Sequence, residues 1–403
     1  MHHISREIDS IKRFLIPLFL LASLSPGTAN AATMSASGLK NLKIDSFVAR
    51  LPLRVLGSEA AEPTGLSPDR IKAAYHLPKS GGNGTIAIVT AFDGKTIESD
   101  LAGFNQKFGL PECTTQNGCL TIHSMTKNLK TSSGWALETA LDTEWAHAIA
   151  PDAKILVVEA ASDSGPNLLK AVDYARAQPG VVAVSMSWGG DEFKDETKSD
   201  SHFSGPGISF FAASGDDGYG ASWPASSPSV ISVGGTSLTF KSDGSLDSEK
   251  AWSGSGGGVS AYEKEPGFQV SYSIAKAKGK RAIPDVSFDA DPHSGYSVYH
   301  LAASNTGSHA RTATSTLPGK GWYVVGGTSA GAPQWAAIRA LLGSATSTVP
   351  LITRLYEDKA SANHSNYFRD IVSGSNGACT YYCDARKHYD YVTGLGSPLT
   401  YRF

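Results

Sequence analysis

Charge is the first scarcity. Lys, Arg, Asp and Glu make up 18% of the 403 residues, below the usual quarter, and the formal net charge is −2. The lack of a basic surplus argues against nucleic acid or an anionic membrane surface as partner. A sparsely charged chain also builds up less self-repulsion when its carboxylates protonate, which suits acid conditions. Cysteine is scarce as well. The four cysteines fall as two local pairs, Cys113/Cys119 and Cys379/Cys383, and neither pair has the C-x2-C spacing or neighbouring ligands of a zinc site. Three disulfide connectivities are open; the two local ones are favoured because each staples a polar loop in an oxidising compartment. No internal repeat of about 20–50 residues is visible.

Long apolar runs are also missing. Lys12 and Arg13 precede FLIPLFLLASL (Phe14–Leu24), and Ala29-Asn30-Ala31 follows. A basic start, a short apolar core and an A-x-A site have the form of a secretory signal peptide over residues 1–31. The apolar stretch is well short of the ~20 residues that span a bilayer. An exported protein is expected, extracellular or periplasmic, with no membrane partner after signal cleavage, and a monomer.

Residues 32–65 show no sustained period and suggest a linker or a short pro-segment. From Leu66 the chain becomes regular. Ser67-Pro68-Asp69 opens a short helix through Tyr75, serine as cap and proline in the first turn. Apolar, β-branched runs at Thr85–Ala91, Lys154–Ala160, Val181–Ser187, Ile208–Ala213 and Val230–Val233 suit strands buried on both faces. Helical patterns lie between them at Ile97–Phe108, Trp135–Ile149 and Asn167–Gln178. This alternation predicts an α/β fold, a parallel sheet flanked by helices, with reactive groups at the carboxyl ends of the strands. The second half is richer in loops. Ser253–Gly258 (SGSGGG) is followed by no Lys-Ser/Thr and fed by no strand, so a flexible or close-approach loop is expected there rather than a phosphate loop. Ala302–Lys320 suggests a surface excursion.

Chemistry gathers around VVGGTSAGAPQWAAIRALL, Val324–Leu342. An apolar run ends at Gly326-Gly327, and Trp335, Ile338, Leu341 and Leu342 recur at helical spacing. Ser329 at this junction sits where unpaired N–H groups favour negative charge; its bland alternative is a helix cap. In WALETALDTEWAHAI, Glu138 and Asp142 are four apart, one turn from each other on one helical face. No Lys or Arg is interleaved, and apolar residues crowd the pair, against the alternative of a solvated acidic face. Two carboxyls held close cannot both ionise freely, so one can serve as a base toward a hydroxyl. Glu144 and His147 are expected to be structural. Asp216, in ISFFAASGDDGY, follows a buried strand. A turn residue is the simple reading; a protonated carboxyl facing Ser329 is the functional one.

With these residues in view, the chain resembles the sedolisins, serine-carboxyl peptidases with a subtilisin-like fold. The match runs from LSPDRIKAAYHLP at Leu66 through the E-x-x-x-D of Glu138/Asp142, SMSWGG at Ser185–Gly190 and ASGDDGYG at Ala213–Gly220. It continues with WPASSPSVISVGGTS at Trp223–Ser237, R-x-x-PDVS at Arg281–Ser287, GGTSAGAP at Gly326–Pro333, FRDI at Phe368–Ile371 and YDYVTGLGSP at Tyr389–Pro398. The resemblance implies a single large catalytic domain over 66–403 acting on protein or peptide substrates. Ser329 is then the nucleophile, Glu138 its base, Asp142 the carboxyl coupled to Glu138, and Asp216 the oxyanion-hole acid. Ser187, Trp188 and Gly189 form the edge that pairs with an extended substrate. Carboxyl chemistry with unperturbed pKa values of ~4 implies activity at roughly pH 3–5.

The resemblance also implies one structural calcium ion. Asp370 and Asp390 would supply side-chain oxygens and Ile371, Arg386 and His388 backbone carbonyls, a shell suited to a hard cation. Arg386 and His388 stand where the family usually has glycine. Residues 32–65 are a short stretch where many relatives carry a folded pro-domain, and Thr90 stands where members often have a further carboxyl, which Asp93 is the candidate to supply. Two rival readings are a subtilase with a Ser-His-Asp triad, for which no histidine has the right context, and an exported peptide-binding protein without catalysis.

Overall fold

The computed structural model describes residues 43–301, 311–312, 320–343, 347–360 and 364–403. The expected signal peptide (1–31), residues 32–42 and nearly all of the 302–320 excursion lie outside the described residues. In chain order the main elements are β1 (Arg54–Ala60), α1 (Pro68–Ala74), β2 (Thr85–Ala91), α2 (Ile97–Phe108), β3 (Leu120–Ser124), α3 (Ser133–Ile149), β4 (Lys154–Ala160), α4 (Gly165–Arg176) and β5 (Val181–Met186). There follow β6 (Ser209–Ala213), β7 (Ile231–Phe240), β8 (Leu246–Ala251), β9 (Val286–Asp289), β10 (Tyr296–His300), β11 (Gly321–Gly326), α5 (Gly331–Leu341) and α6 (Thr348–Ala360).

The strand runs expected from composition form one sheet in the order β8-β7-β6-β5-β2-β4-β3, with β9 also beside β7. Every pairing is parallel except β8 with β7. Its central strands are buried on both faces, β2 from Ile86 to Ala91 without a break, which is why they lack alternation. Chain order reverses at β2, whose neighbours are β4 and β5, so the crevice beyond the carboxyl ends of these strands is a topological switch point.

α3 packs on this sheet and against α5. It is buried along almost its whole length, with Glu138, Asp142 and Glu144 all among the buried residues. A helix apolar on every side has to be internal, and here three carboxyls were carried inside with it. A second sheet runs β10-β11-β1 with antiparallel pairings, and the short strand Arg311–Thr312 adds to β1 in parallel.

Residues 43–65 belong to the stretch expected to be a linker or a short pro-segment. Phe47, Ala49, Leu51 and Leu53 are buried while Val48, Arg50 and Arg54 are not, a period of two that marks extended chain. The segment then continues into β1, whose Arg54, Val55 and Leu56 face Gly326, Val325 and Val324 of β11. The alternation spans only seven residues and is interrupted by Pro52, so it stands out little against the polar stretch around it. Both local disulfides, Cys113–Cys119 and Cys379–Cys383, are formed. Cys113, Cys119 and His147 are grouped closely enough to suggest a metal site, but the two sulfurs are bonded to each other and have no thiolate to offer.

Candidate functional site

Four chain segments converge beyond the carboxyl ends of β5 and β6. Ser329 lies in a short 3-10 turn (Thr328–Ala330) that joins β11 to α5, so its N–H and hydroxyl face the crevice. Its Oγ lies 3.2 Å from Glu138 Oε2, within hydrogen-bond reach. Asp142, one turn along α3, accepts from Ser187 Oγ at 2.7 Å, and Ser187 also reaches Ser329 O at 3.2 Å. Asp216 is fastened through one oxygen: its Oδ1 accepts from Thr328 N at 2.8 Å and bonds Thr328 Oγ1 at 3.0 Å. The other oxygen, Oδ2, has no hydrogen-bond partner, nor has Glu138 Oε1. Ser329 is 0% exposed, Glu138 and Asp142 1%, Asp216 8%.

Burial governs the protonation of all three acids. It pushes Glu138 well above the ordinary carboxyl range, and the charge of Asp142 pushes the same way while the Ser329 hydroxyl opposes. Asp142 is likewise raised by burial, against its bond from Ser187. Asp216 is pushed up to about 7 by burial, opposed by the Thr328 N–H and by the Arg54 guanidinium. A carboxyl with an unpartnered oxygen and a proton below pH 7 is a hydrogen-bond donor in waiting.

The crevice holds residues 47–54 of the same chain. Arg50 N donates to Gly189 O at 2.8 Å and Gly189 N to Arg50 O at 3.1 Å, an antiparallel bridge. Two residues on, Pro52 O accepts from both the N–H of Ser329, at 3.3 Å, and its hydroxyl. Arg54 follows, its Nε 3.7 Å from Asp216 Oδ2 and its Nη2 2.7 Å from Asp216 O. Gly327 makes the approach feasible. At φ +116, a Cβ there would fall 2.0 Å from Pro52 O and 2.7 Å from Asp216 Oδ2. Those two oxygens thus lie on the same side of one glycine. The SGSGGG loop braces the Asp216 turn from behind, Gly256 N donating to Gly215 O at 2.7 Å, and a Cβ on Gly256 would sit 2.1 Å from Ser214 O. Of the two forms expected, it takes the close-approach one.

Ser329, Glu138, Asp142 and Asp216 are therefore brought together. Of the expected substrate edge, Gly189 supplies the backbone pairing. Ser187 holds Asp142, and Trp188 is buried with its indole N–H on Val89 O at 3.0 Å. Thr90 bonds Thr139 Oγ1 at 2.7 Å, and Asp93 lines a separate groove with His123 and Lys127, so neither extends the Glu138–Asp142 pair. Glu144 accepts from Tyr299 N and His147 bonds Pro111 O, both structural as expected. His202, His293 and His300 bond Asp173, Asp291 and Asp100; no hydrogen bond joins a described histidine to Ser329. Thr328, Arg54 and the 47–54 segment went unnoticed in the sequence.

The expected calcium residues also meet, with the carboxylate oxygens of Asp370 and Asp390 already engaged. Asp370 Oδ1 accepts from Lys359 Nζ at 2.7 Å and Oδ2 from His388 N at 3.0 Å. Asp390 accepts from the N–H groups of Arg386, Val392 and Thr393 and from Thr393 Oγ1. Ile371 is buried beside them. As placed, both carboxylates face N–H, hydroxyl or ammonium donors, which a hard cation would have to displace before completing a shell of six or more oxygens.

A serine with carboxyl partners at the switch point of a parallel sheet is the site layout of a serine hydrolase. The subtilase family model matches residues 131–366, more than half of the chain. Sedolisin from Pseudomonas sp. (strain 101) is 26% identical over 393 residues, covering 86% of this chain and 63% of its own. Kumamolisin from Bacillus sp. (strain MN-32) is 29% identical over 386 residues, covering 86% and 64%. Among solved structures, Pseudomonas sedolisin, a serine-carboxyl proteinase complexed with two molecules of pseudo-iodotyrostatin, shares the fold at a TM-score of 0.67. It is 24% identical and covers 84% of this chain and 96% of its own. The chain belongs to the subtilase family, in its sedolisin branch. It spans a little under two thirds of the length of these curated relatives.

Proposed function

We propose that this protein is an exported, acid-acting serine endopeptidase that cleaves protein or peptide substrates. The observation that carries the reading is the chain's own Pro52 carbonyl, held at the hydroxyl and N–H of Ser329 while Arg50 pairs with Gly189. An extended peptide lies there in the register a substrate needs, backbone on an edge and one carbonyl at the nucleophile.

Ser329 Oγ attacks the substrate carbonyl carbon and its proton passes to Glu138 Oε2 in the form of the Glu138–Asp142 pair that carries one negative charge, a form that burial makes scarcer as pH falls. Asp142, coupled to Glu138 along α3 and steadied by Ser187, keeps the pair's shared charge within reach of the serine. The carbonyl oxygen, now negative, accepts from Ser329 N–H and from the protonated Oδ2 of Asp216. Glu138 returns the proton to the leaving amine. Water then attacks the acyl ester, again with Glu138 as base, and frees Ser329. Asp216 fills its role only while protonated, so activity falls as pH rises through about 7.

Residues 43–60 fit the role of a short pro-segment that fills the crevice until removed, with Pro52–Leu53 the bond presented to Ser329. The Arg54–Asp216 pair holds the segment down and favours the ionised, non-donating form of Asp216. Acid protonates Asp216, weakens that pair and arms the oxyanion site together.

The test is digestion of casein and a peptide library between pH 3 and pH 8, with wild type beside Ser329→Ala and Glu138→Gln. Cleavage confined to acid and lost in both variants is expected. Persistence in Ser329→Ala, or an optimum in alkali, overturns the reading.

A further inference from the structure

We propose that the ammonium of Lys359 stands where a divalent cation would otherwise sit, so that the C-terminal corner of the fold is held by an internal cation and needs no metal. Lys359 lies at the end of α6, and its side chain is fully buried, 0% exposed. Its Nζ is 2.7 Å from Asp370 Oδ1 and within electrostatic reach of Asp390. A buried ammonium without a carboxylate is costly, and so is a buried carboxylate without a cation; each here answers the other.

The groups around the two carboxylates are donors. Asp370 Oδ2 takes the N–H of His388. Asp390 Oδ1 takes those of Val392 and Thr393, both at 2.8 Å, and Oδ2 takes Arg386 N at 3.1 Å and Thr393 Oγ1 at 2.9 Å. Every carboxylate oxygen is occupied. A calcium ion would need to reclaim these oxygens and enter beside an ammonium of like charge. The loop is shaped for the donor arrangement: His388 sits at φ 70, a left-handed conformation that a non-glycine residue adopts at some cost, and its N–H is directed at Asp370. The corner it ties is a structural one. It joins α6, the Phe368–Arg369 strand and the loop before Tyr391, close to the Cys379–Cys383 staple.

This inference stands apart from the peptidase reading, and its test uses melting and metal binding. Purified full-length wild type is melted at pH 8, above the value of about 7 to which burial raises Asp390, in calcium chloride and in EDTA, and titrated with calcium in a calorimeter. The expected result is one melting temperature within about 1 °C in both, and no calcium binding at micromolar concentration. Lys359→Met is expected to melt at least about 3 °C lower in EDTA and to recover in calcium, because two carboxylates are left without their cation. Stoichiometric calcium binding by wild type, or a wild-type melt lowered by EDTA, overturns the proposal. So does a Lys359→Met protein as stable as wild type without calcium, or one destabilised but unmoved by calcium. Should Lys359→Met fail to fold, the wild-type melt and titration decide alone.

Discussion

Two groups of carboxyls sit in one molecule and are met by very different numbers of donors. In the crevice, Glu138, Asp142 and Asp216 share three hydroxyls and one N–H, and two of their oxygens are left with no hydrogen-bond partner. At the C-terminal corner, Asp370 and Asp390 have every oxygen engaged and a lysine for company. The first arrangement leaves acids poorly solvated, easily protonated and able to exchange protons with whatever enters. The second fastens them to the fold, although burial pushes Asp390, like Asp216, up to about 7. Asp390 is buried like the crevice acids, while Asp370 is partly exposed; what separates the two groups is how many donors meet each carboxyl.

That contrast can be broken from either side. The largest effect is expected at the group the crevice acids serve: Ser329→Ala should lower kcat/KM at acid pH by at least about 10⁴-fold and abolish any cut between Pro52 and Leu53 seen by mass spectrometry, with an unchanged melt. Next, Asp216→Ala should cost about 10²–10³-fold. Asp216→Asn is the sharper variant, since an amide donates at every pH; the loss of activity as pH rises through about 7 should disappear from its profile. On the other side, Asp390→Ala should leave kcat/KM of the folded enzyme within about threefold of wild type. It should cost about 3 kcal/mol in urea unfolding, because several N–H groups lose their acceptor at once.

A smaller effect follows from protons. Asp216 at about 7, Glu263 at about 8 and Glu196 at about 10 are all raised by burial. Unfolded, such groups titrate near 4, so between these values the folded state binds the more protons. Their stabilising contribution is complete below about pH 4 and is lost as pH climbs through the folded values. The melting temperature should therefore fall from pH 4 to pH 9; a rise over that range would mean these acids are ionised in the fold. Smallest is Arg54→Ala. A partly exposed pair contributes about 1 kcal/mol or less, so release of the 47–54 segment, followed by N-terminal sequencing, should quicken by less than about tenfold.

Much of this was legible in the chain. Helix α2 falls on Ile97–Phe108 as its period predicts, and the five expected strand runs are the sheet's parallel core. The i, i+4 spacing of Glu138 and Asp142, with no basic residue between them, pointed to a buried acidic pair before any fold was known. Other features depend on distance in space. Nothing local marks Lys359, rather than another lysine, as the one that meets Asp370 eleven residues on. Ser187 belongs to the expected substrate edge by sequence, yet folding turns its hydroxyl to Asp142. Phe47, Ala49, Leu51 and Leu53 alternate too briefly to be called a strand, and their role exists only because β1 pairs with the strand leading to Ser329.

The tether on residues 47–54 has a consequence for anyone assaying the protein. A peptide that is part of the chain competes with outside substrate at an effective concentration in the millimolar range. Freshly acidified protein should therefore begin with a lag, and diluting the protein should not lengthen it while the first cut is made within one molecule. Raising the substrate concentration to ordinary micromolar levels would do little to shorten that delay.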